Sequence, residues 1–331
     1  MTTFITGGTS SIGRVLIKEL SKAGKKVRVL ARSTSNRTGL ELPGVEFITG
    51  DVTDPESVRK GMEGCDEVCH LAAVVGSSTP EAEWWRVNRD GSRYVLQAAC
   101  DQAVSSIVQV SSLSVLGPTQ PDEVGNETLP VDTSKYMNLY QKTKRAADDI
   151  ARDFAVKGLS VKIVYPGFGY GCSWASSHPS MAEQTLLRMA AGRSVAVMGS
   201  GKNKVCLAYY RDTVRGIQLA HERGKPGEGY ILGGANLTFP EIWAVIAEIL
   251  KKDPPRRRIP LWLMRFISSA SILLRRKSVF PPDFFEMIAL DWNYSTARAE
   301  RELGWHPHSF RDGMAETWAE YQAIGWKPDH Q

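Results

Sequence analysis

The chain has 331 residues, of which 42% are hydrophobic and 23% charged, as in a globular protein that buries a large core without disulfide bonds. Its net charge of +5 comes from basic residues spread along the chain, so no concentrated face for nucleic acid is expected. No stretch reaches the roughly 18 apolar residues of a membrane-spanning helix, and the five cysteines lack metal-ligand spacing.

Short β-rich segments alternate with helical patterns through the first half of the chain. Strands are predicted over residues 3–6, 26–31, 45–49, 67–71, 106–111 and 160–165. Helices are predicted after the first strand and over residues 55–62, 81–99 and 140–157. This alternation predicts an α/β fold, a Rossmann-type doubly wound parallel sheet with helices on both faces.

The second half of the chain is less regular. Helices are predicted over residues 179–192, 212–223, 240–251, 295–303 and 310–324, and strands over 204–210 and 229–232. Residues 253–260 are basic and rich in proline, which favours a linker. We therefore expect a smaller, helix-rich C-terminal lobe that lies over the ends of the strands.

A glycine-rich turn follows the first strand and opens the first helix. Free N–H groups and the helix dipole at such a turn favour a pyrophosphate, and glycine allows its close approach. The usual middle glycine is replaced by Ser10, which adds a Cβ beside the phosphates. The residues assigned to this dinucleotide site are Gly7, Gly8, Thr9, Ser10, Ser11, Ile12 and Gly13.

The second strand ends without the acidic residue that would bind a ribose 2′-hydroxyl. Arg32 is instead placed to pair with a 2′-phosphate, with Arg14 and Arg37 as candidate helpers. This favours NADP(H) as the cofactor and leaves NAD(H) open; the alternative for Arg32 is a solvated surface residue. Asp51, after the third strand, is a candidate acceptor for the adenine amino group, or else a turn former.

The ends of two further strands extend the predicted cofactor site. Val52 follows Asp51, and the fourth strand ends in Leu71, Ala72 and Ala73, which are small enough for the backbone to lie along the cofactor. The dinucleotide-binding domain is thus predicted at residues 1–168, with 204–234 returning to it. The substrate-binding lobe is predicted at residues 169–203 and 235–331.

Tyr140 and Lys144 are four residues apart and therefore lie on one face of the predicted helix. Reduction of a carbonyl needs a proton for its oxygen, and a neighbouring ammonium would bring the phenol pKa of ~10 closer to the working range. The lysine can also hold the nicotinamide ribose. A serine near the end of the fifth strand, Ser111, Ser112 or Ser114, would orient the carbonyl oxygen.

These motifs resemble the extended short-chain dehydrogenase/reductase family over nearly the whole chain. The resemblance rests on the glycine turn and on residues 50–54, 70–73, 87–91, 110–112, 140–144, 165–167, 211–214 and 302–307. It implies that Ser112 is the catalytic serine beside Tyr140 and Lys144. It further implies that Asn88 has a structural and proton-relay role, and that Pro166 and Gly167 contact the nicotinamide.

Two branches of that family compete. One contains nucleotide-sugar epimerases and dehydratases; the other contains dihydroflavonol reductases, aldehyde reductases and 3β-hydroxysteroid dehydrogenases. Residues 224–238 resemble the second branch, and especially hopanoid-associated proteins labelled sugar epimerases by similarity. Leu116, Phe168 and Val205 stand where the first branch has polar contacts to its substrate.

A diphosphate needs charged partners, so these departures favour a largely apolar carbonyl or alcohol substrate, flavonoid-, steroid- or isoprenoid-like. The alternatives are an NAD-dependent nucleotide-sugar epimerase or dehydratase and a non-catalytic NADP sensor. The predicted pocket is mostly apolar, although some of its members are alternatively core residues. Its candidate residues are Val75, Ser114, Leu116, Phe168, Tyr170 and Trp174.

The apolar stretch 259–267 is flanked by basic residues at 256–258 and 275–277. It is a candidate for contact with a membrane surface around residues 259–277, where a lipid-like substrate would enter. The alternative is a helix of the substrate lobe with solvated ends. Unpaired thiols and the absence of a leader before the first predicted strand favour a cytoplasmic location, and a homodimer is left open.

Overall fold

A parallel sheet of seven strands forms the centre of the computed structural model, which describes residues 1–75, 79–175, 179–273 and 282–327. Its strands are β1 (Thr2–Thr6), β2 (Lys26–Ala31), β3 (Val45–Thr49), β4 (Glu67–His70), β5 (Ser106–Val110), β6 (Val161–Pro166) and β10 (Gly229–Leu232). They follow the order β3-β2-β1-β4-β5-β6-β10, with all neighbours parallel. The predicted α/β fold of Rossmann type is confirmed.

Helices cover both faces of this sheet. They are α1 (Ser11–Lys22), α2 (Pro55–Met62), α3 (Glu81–Trp84), α4 (Gly91–Asp101), α5 (Leu139–Val156) and α7 (Tyr210–Arg223). Successive side chains of a strand point to opposite faces, so Phe4 and Ile5 of β1 enter different apolar clusters. Val58 of α2 belongs to the first cluster and Leu16 of α1 to the second, which explains why these strands carry apolar residues on both faces.

The winding of the sheet reverses at β1. This strand pairs with β2 on one side and with β4 on the other. The chain therefore builds the sheet first toward one edge, through β2 and β3, and then toward the other edge, from β4 onward. In doubly wound sheets, ligands bind in the crevice beyond the carboxyl ends of the strands at this point. The glycine turn after Thr6 and the segment after His70 both lie there.

Short strands and helices build a second layer of structure beyond β6. They are β7 (Phe168–Tyr170), α6 (Met181–Ala190), β8 (Val197–Met198), β9 (Lys204–Tyr209), β11 (Asn236–Thr238), α8 (Phe239–Ile249), β12 (Arg258–Ile259), α9 (Leu261–Leu273), α10 (Pro282–Ile288), α11 (Ala297–Leu303) and α12 (Phe310–Ala323). β11, β9 and β7 form a three-stranded sheet, and β12 pairs with β8. Within residues 204–234, β9 joins this small sheet, whereas α7 packs on α1 and β10 pairs with β6.

Asp212, near the start of α7, holds the segment between α11 and α12. Its backbone carbonyl accepts a hydrogen bond from Trp305 Nε1 at 2.8 Å. Its buried carboxylate accepts from the backbone N–H of His308 at 2.8 Å and lies 2.6 Å from His308 Nδ1. The carboxylate raises the pKa of His308, so the pair is strengthened when the imidazole is protonated. The motifs at 211–214 and 302–307 thus meet in space. Of the described helices, none is long and apolar enough to cross a bilayer.

Candidate active site

The turn between β1 and α1 has no room for side chains at two of its glycines. Gly7 has a φ of +71°, and a Cβ there would lie 2.6 Å from the carbonyl carbon of Leu71 and from the backbone nitrogen of Ala72. A Cβ on Gly13 would lie 2.4 Å from the Gly7 carbonyl oxygen. The backbone is therefore packed closely around the helix N-terminus, as a cradle for phosphate groups requires.

Ser10, in place of the usual middle glycine, caps helix α1. Its hydroxyl oxygen accepts a hydrogen bond from the backbone N–H of Gly13 at 3.1 Å. The first turn of α1 carries no acidic side chain, so nothing there neutralises the positive end of the helix dipole. The serine thus stabilises the turn, and the uncompensated helix dipole favours an anion beside it.

A cavity of about 480 Å³ begins at this turn and extends to Tyr140. Among the predicted site residues, those that line it are Gly7, Thr9, Ser10, Ser11, Ile12, Arg32, Asp51, Val52, Leu71, Ala72, Ala73, Val75, Ser112, Tyr140, Lys144, Pro166 and Gly167. Gly8 and Gly13 lie beneath the turn instead; a Cβ on Gly8 would meet Val29 Cγ1 at 2.6 Å. The lining also includes the candidate serine Ser111 and residues that the sequence did not single out, among them Ser35, Val74 and Tyr210.

At the end of the cavity near β2, the three arginines have different surroundings. Arg14 is buried and donates to the backbone carbonyls of Thr38 and Asn36, both at 2.8 Å, so it fixes the loop after β2. Arg37 lies over the ring of Phe47, 5.0 Å from its centroid. Arg32 is exposed and lines the cavity, and no described residue forms a hydrogen bond or ion pair with its guanidinium. Arg32 is thus the arginine best placed to meet a ligand.

Asp51 lines the same end of the cavity and also shapes its own turn. Its Oδ1 accepts hydrogen bonds from the backbone N–H and the hydroxyl of Thr53, each at 2.9 Å. The turn-forming role considered from the sequence is therefore present. The second carboxylate oxygen remains available for a ligand in the cavity, so a contact with the adenine stays a prediction.

Lys144 is buried beneath the cavity and held by the end of β5. Its Nζ donates to the backbone carbonyl of Val110 at 2.7 Å. Burial lowers the pKa of Lys144, and the neighbouring Asp148 carboxylate opposes that shift. Burial raises the pKa of Asp148, and its Oδ2 accepts from Ser111 Oγ at 2.9 Å. Asp148 thus favours the charged form of the lysine.

The sequence analysis did not identify Asp148, although its spacing of four residues from Lys144 places the two on one face of a helix. Tyr140, Lys144 and Asp148 occupy positions i, i+4 and i+8 of α5 and therefore share one face. A buried carboxylate on the same face as a buried lysine is the arrangement that would keep the ammonium charged.

Replacement of Asp148 by asparagine is expected to lower the pKa of Lys144 by about one unit or more. The anion favours the ammonium and burial disfavours it, so removal of the anion leaves the effect of burial unopposed. NMR titration of ¹³C-labelled lysine measures this shift without any substrate. The matched control is Asp149→Asn, because Asp149 is exposed and pairs with Arg145. A Lys144 titration that is the same in both variants would contradict the coupling.

Tyr140 lies at the inner end of the cavity, edge-on to Trp84 with ring centroids 6.2 Å apart. Burial raises its pKa, and hydrogen bonding with the Ser112 hydroxyl acts in the opposite direction. The expectation that the lysine brings the phenol pKa below its ordinary value is not met, since the Lys144 ammonium is directed to the Val110 carbonyl. A raised pKa keeps Tyr140 protonated at neutral pH, which is the state a proton donor needs.

The three candidate serines differ in their hydrogen-bond partners. Ser111 donates to Asp148, on the side of the buried lysine. Ser111 and Ser112 both line the cavity, and it is the Ser112 hydroxyl that acts on Tyr140, whose pKa it lowers. Its Oγ also lies 2.9 Å from Ser114 Oγ and accepts from the Ser114 backbone N–H at 3.2 Å. This placement suits Ser112 to orient a substrate oxygen toward Tyr140.

Asn88 lies in a π-helical turn, Trp85–Asp90, that joins α3 to α4 and interrupts the helix predicted over 81–99. Such turns are frequent at functional sites. Its Oδ1 accepts from the backbone N–H of Val74 at 2.7 Å, and its Nδ2 donates to Thr143 Oγ1 at 3.0 Å. Asn88 thus ties the segment after β4 to α5, the helix that carries Tyr140.

A second cavity, of about 280 Å³, adjoins the first, and Gly169 lines both. Its described lining is Phe168, Gly169, Ser180, Met181, Ala182, Val205, Leu207, Phe239, Ile242, Trp243, Met287 and Ile288. Almost all of these side chains are apolar. Helices α6, α8 and α10 supply most of this wall. Of its residues, the sequence analysis identified Phe168 and Val205.

The other predicted pocket residues lie elsewhere. Tyr170 is buried and stacks on Tyr209 with ring centroids 5.3 Å apart. Leu116 and Ser114 are buried, and both belong to the short 3-10 helix Leu113–Leu116 that follows β5. Trp174 is 48% exposed and faces the loop around Gly39. In the described residues, the cavity walls therefore include Val75 and Phe168 but not these four.

A model of the NAD dependent epimerase/dehydratase family matches residues 3–233. The chain belongs to this family. It is 31% identical to the sterol demethylase protein B of Methylococcus capsulatus, over 98% of this chain and 99% of that protein. It is 27% identical to a putative dihydroflavonol 4-reductase of Synechocystis sp., over 99% and 94% of the two chains. A solved dTDP-glucose 4,6-dehydratase from Streptomyces venezuelae, with NAD and TYD bound, is 25% identical over 99% of each chain, with a TM-score of 0.79.

Membership of the family confirms the resemblance drawn from the motifs, and with it an NAD(P)-dependent oxidoreductase of the extended short-chain dehydrogenase/reductase type. The site fits the cofactor that the family uses. The glycines leave a closely packed cradle at the N-terminus of α1, and the small Ala72 and Ala73 line the cavity beyond it. The residues that would hold the dinucleotide run from this turn to Lys144.

Proposed function

We propose that this protein reduces a ketone or aldehyde on a largely apolar molecule with NADPH, or oxidises the matching alcohol with NADP⁺. The observation that carries the proposal is the apolar cavity that adjoins the cofactor cleft, with Gly169 in the lining of both. Burial of a ring system there contributes roughly 25 cal/mol per Å² of apolar surface. The names of the two curated relatives, a sterol demethylase protein and a dihydroflavonol reductase, support a ring-bearing substrate.

The same cavity argues against a nucleotide-sugar. None of its described lining residues carries a positive charge. A sugar diphosphate that lay there would lose hydration without gaining charged partners, which is costly. Val205 and Phe168, two of the positions at which the sequence departs from the nucleotide-sugar branch, belong to this wall.

Each member of the triad has a separate task. Tyr140 donates its proton to the carbonyl oxygen during reduction and takes it back during oxidation. Ser112 donates a hydrogen bond that holds this oxygen next to the phenol. Lys144, fixed by the Val110 carbonyl and charged beside Asp148, supplies the positive charge under the nicotinamide ribose. When bound, the nicotinamide supplies or accepts the hydride at the substrate carbon.

The preference for NADP(H) is proposed from the exposed end of the cavity. Arg32 lines that end without a protein partner among the described residues, and no acidic residue follows β2. A guanidinium there suits a 2′-phosphate, whereas a ribose 2′-hydroxyl is usually met by a carboxylate.

A depletion screen tests the proposal. Purified protein with NADPH is offered flavanonols, 3-ketosteroids and cyclic isoprenoid ketones, and separately UDP- and dTDP-sugars, while NADPH absorbance and product are followed. We expect net consumption of NADPH with a ring ketone and none with the sugar nucleotides. Conversion of a sugar nucleotide without net NADPH consumption would identify an epimerase and overturn the proposal.

We further propose that helix α9 rests on an anionic membrane surface, from which an apolar substrate would enter. Trp262 and Phe266 lie one turn apart on α9 and are 68% and 67% exposed. Exposed arginines at 256–258 precede them, a pattern that suits acidic lipid headgroups. The basic flank predicted at 275–277 falls outside the described residues.

Co-sedimentation with vesicles checks this contact. The protein is expected to sediment with phosphatidylserine-containing vesicles and not with pure phosphatidylcholine vesicles. The double variant Trp262→Glu, Phe266→Glu should remain in the supernatant, because two charges replace the exposed aromatic pair. Equal sedimentation of wild type and double variant, or none with either vesicle, would rule the contact out.

A further inference from the structure

Trp243 has an unusual environment for an indole. It lies on α8, is 2% exposed, lines the apolar cavity and stacks on Phe239 with ring centroids 5.8 Å apart. Its Nε1 is buried and has no hydrogen-bond partner in the protein. An unmade hydrogen bond of this kind costs about 1–3 kcal/mol, so native structures rarely leave one without a ligand or water to accept it.

Other indoles of the chain are satisfied. Trp292 Nε1 donates to the backbone carbonyl of Met287 at 2.8 Å, and Trp305 Nε1 donates to that of Asp212 at 2.8 Å. Trp84 Nε1 donates to the Thr79 carbonyl at 3.1 Å. Trp243 differs from these indoles because its N–H donor has no partner. Among the described residues, it is also the tryptophan that lines this cavity.

The other polar side chain on the described cavity wall is already engaged. Ser180 caps α6, and its Oγ accepts from the backbone N–H of Glu183 at 3.2 Å. The indole nitrogen of Trp243 is thus the buried polar side-chain atom of this wall that has no partner in the protein.

We propose that Trp243 donates a hydrogen bond to a second oxygen of the substrate, distant from the reacting carbonyl. This rests on the proposed function and narrows its substrate class to an apolar ring compound with a carbonyl at one end and an oxygen acceptor at the other. Tyr140 and Ser112 line the first cavity, Trp243 lines the second, and Gly169 is common to both. A molecule whose carbonyl meets Tyr140 and whose rings pass Gly169 presents its far end to Trp243.

A matched pair of probes isolates this hydrogen bond. Both 2,6-diacetylnaphthalene and 2-acetyl-6-isopropylnaphthalene carry one acetyl group for Tyr140, but the first alone has an acceptor at the far end. Binding to the ¹⁵N-labelled protein with NADP⁺ is followed on the tryptophan indole N–H signals, because no turnover of a ketone occurs with the oxidised cofactor. The Trp243→Phe variant assigns the signal of Trp243.

The diketone is expected to bind about fivefold more tightly than the isopropyl compound and to move the Trp243 indole signal downfield, as one neutral hydrogen bond predicts. Trp243→Phe should abolish this preference by weakening the diketone alone. The control Trp326→Phe removes an indole that packs edge-on against Trp318 and that lines neither cavity in the described residues, so it should leave the preference unchanged.

Three outcomes overturn the proposal: a preference that survives in Trp243→Phe, a Trp243 signal that is unmoved when the diketone binds, or no binding of either probe. If Trp243→Phe does not fold, nuclear Overhauser contacts to the stacked Phe239 ring assign the wild-type signal of Trp243, and its shift decides the matter. Failure of the proposed function would look different. In that case no carbonyl compound would consume NADPH, while the binding preference at Trp243 would still be measurable.

Discussion

Replacement of Tyr140 by phenylalanine is expected to reduce turnover by about 10²–10⁴-fold, the usual contribution of a positioned proton donor. The phenol is the protonated group that lies within hydrogen-bonding reach of Ser112 at the end of the cavity. Phenylalanine keeps the ring and its edge-on packing against Trp84, so the fold and the cofactor cleft are preserved. The affinity for NADPH, measured by fluorescence titration, should therefore change little while the rate of carbonyl reduction falls.

Tyr136→Phe provides the matched control, because Tyr136 lies four residues before Tyr140 and its hydroxyl also serves a hydrogen bond. That hydroxyl donates to the backbone carbonyl of Val115 at 2.5 Å, and burial raises its pKa to about 12. Loss of this bond should lower the free energy of unfolding by about 1 kcal/mol and leave turnover nearly intact. Near-normal turnover in Tyr140→Phe, or a comparable loss in Tyr136→Phe, would remove Tyr140 from its assigned role.

The central sheet was predictable because its strands are buried on both faces. Strands such as β2 and β6 have six mostly apolar residues each, and helices follow or precede the strands of this sheet. The small sheets were not predictable in this way. β8 and β12 have two residues each, and β7 and β11 have three, which is too short for any periodicity to register. Long-range pairing alone decides that these segments are strands.

The site likewise has a part that local sequence patterns predict and a part that they do not. Residues on the glycine turn and on one face of α5 follow local rules of spacing, so Gly7, Tyr140 and Lys144 could be placed on the cavity wall from the sequence. The apolar cavity is assembled from α6, α8 and α10, which are distant in sequence. Trp243 and Met287 carry no local signal of their role, and Tyr170 was assigned to the pocket because nothing in the sequence reveals that Tyr209 covers it.

Replacement of Arg32 by alanine is expected to weaken NADPH binding by about 10–100-fold, since a charge-assisted hydrogen bond contributes roughly 1.5–3 kcal/mol. NADH lacks the 2′-phosphate, so its dissociation constant should change by less than about threefold. The side chain is exposed, which favours the lower end of the range because solvent and salt screen the interaction. Parallel fluorescence titrations with the two cofactors measure both values and give their ratio.

Arg37→Ala is the control that separates a phosphate contact from a general change in charge. It removes the same unit of charge from the same loop, but the Arg37 guanidinium lies over Phe47 and does not line the cavity in the described residues. Its effect on the ratio of the two dissociation constants should therefore be small. Tighter binding of NADH than of NADPH by the wild-type protein would overturn the assignment of Arg32, as would an equal loss of both cofactors in Arg32→Ala. In either case the proton-donor role of Tyr140 would stand, because it depends on the opposite end of the cavity.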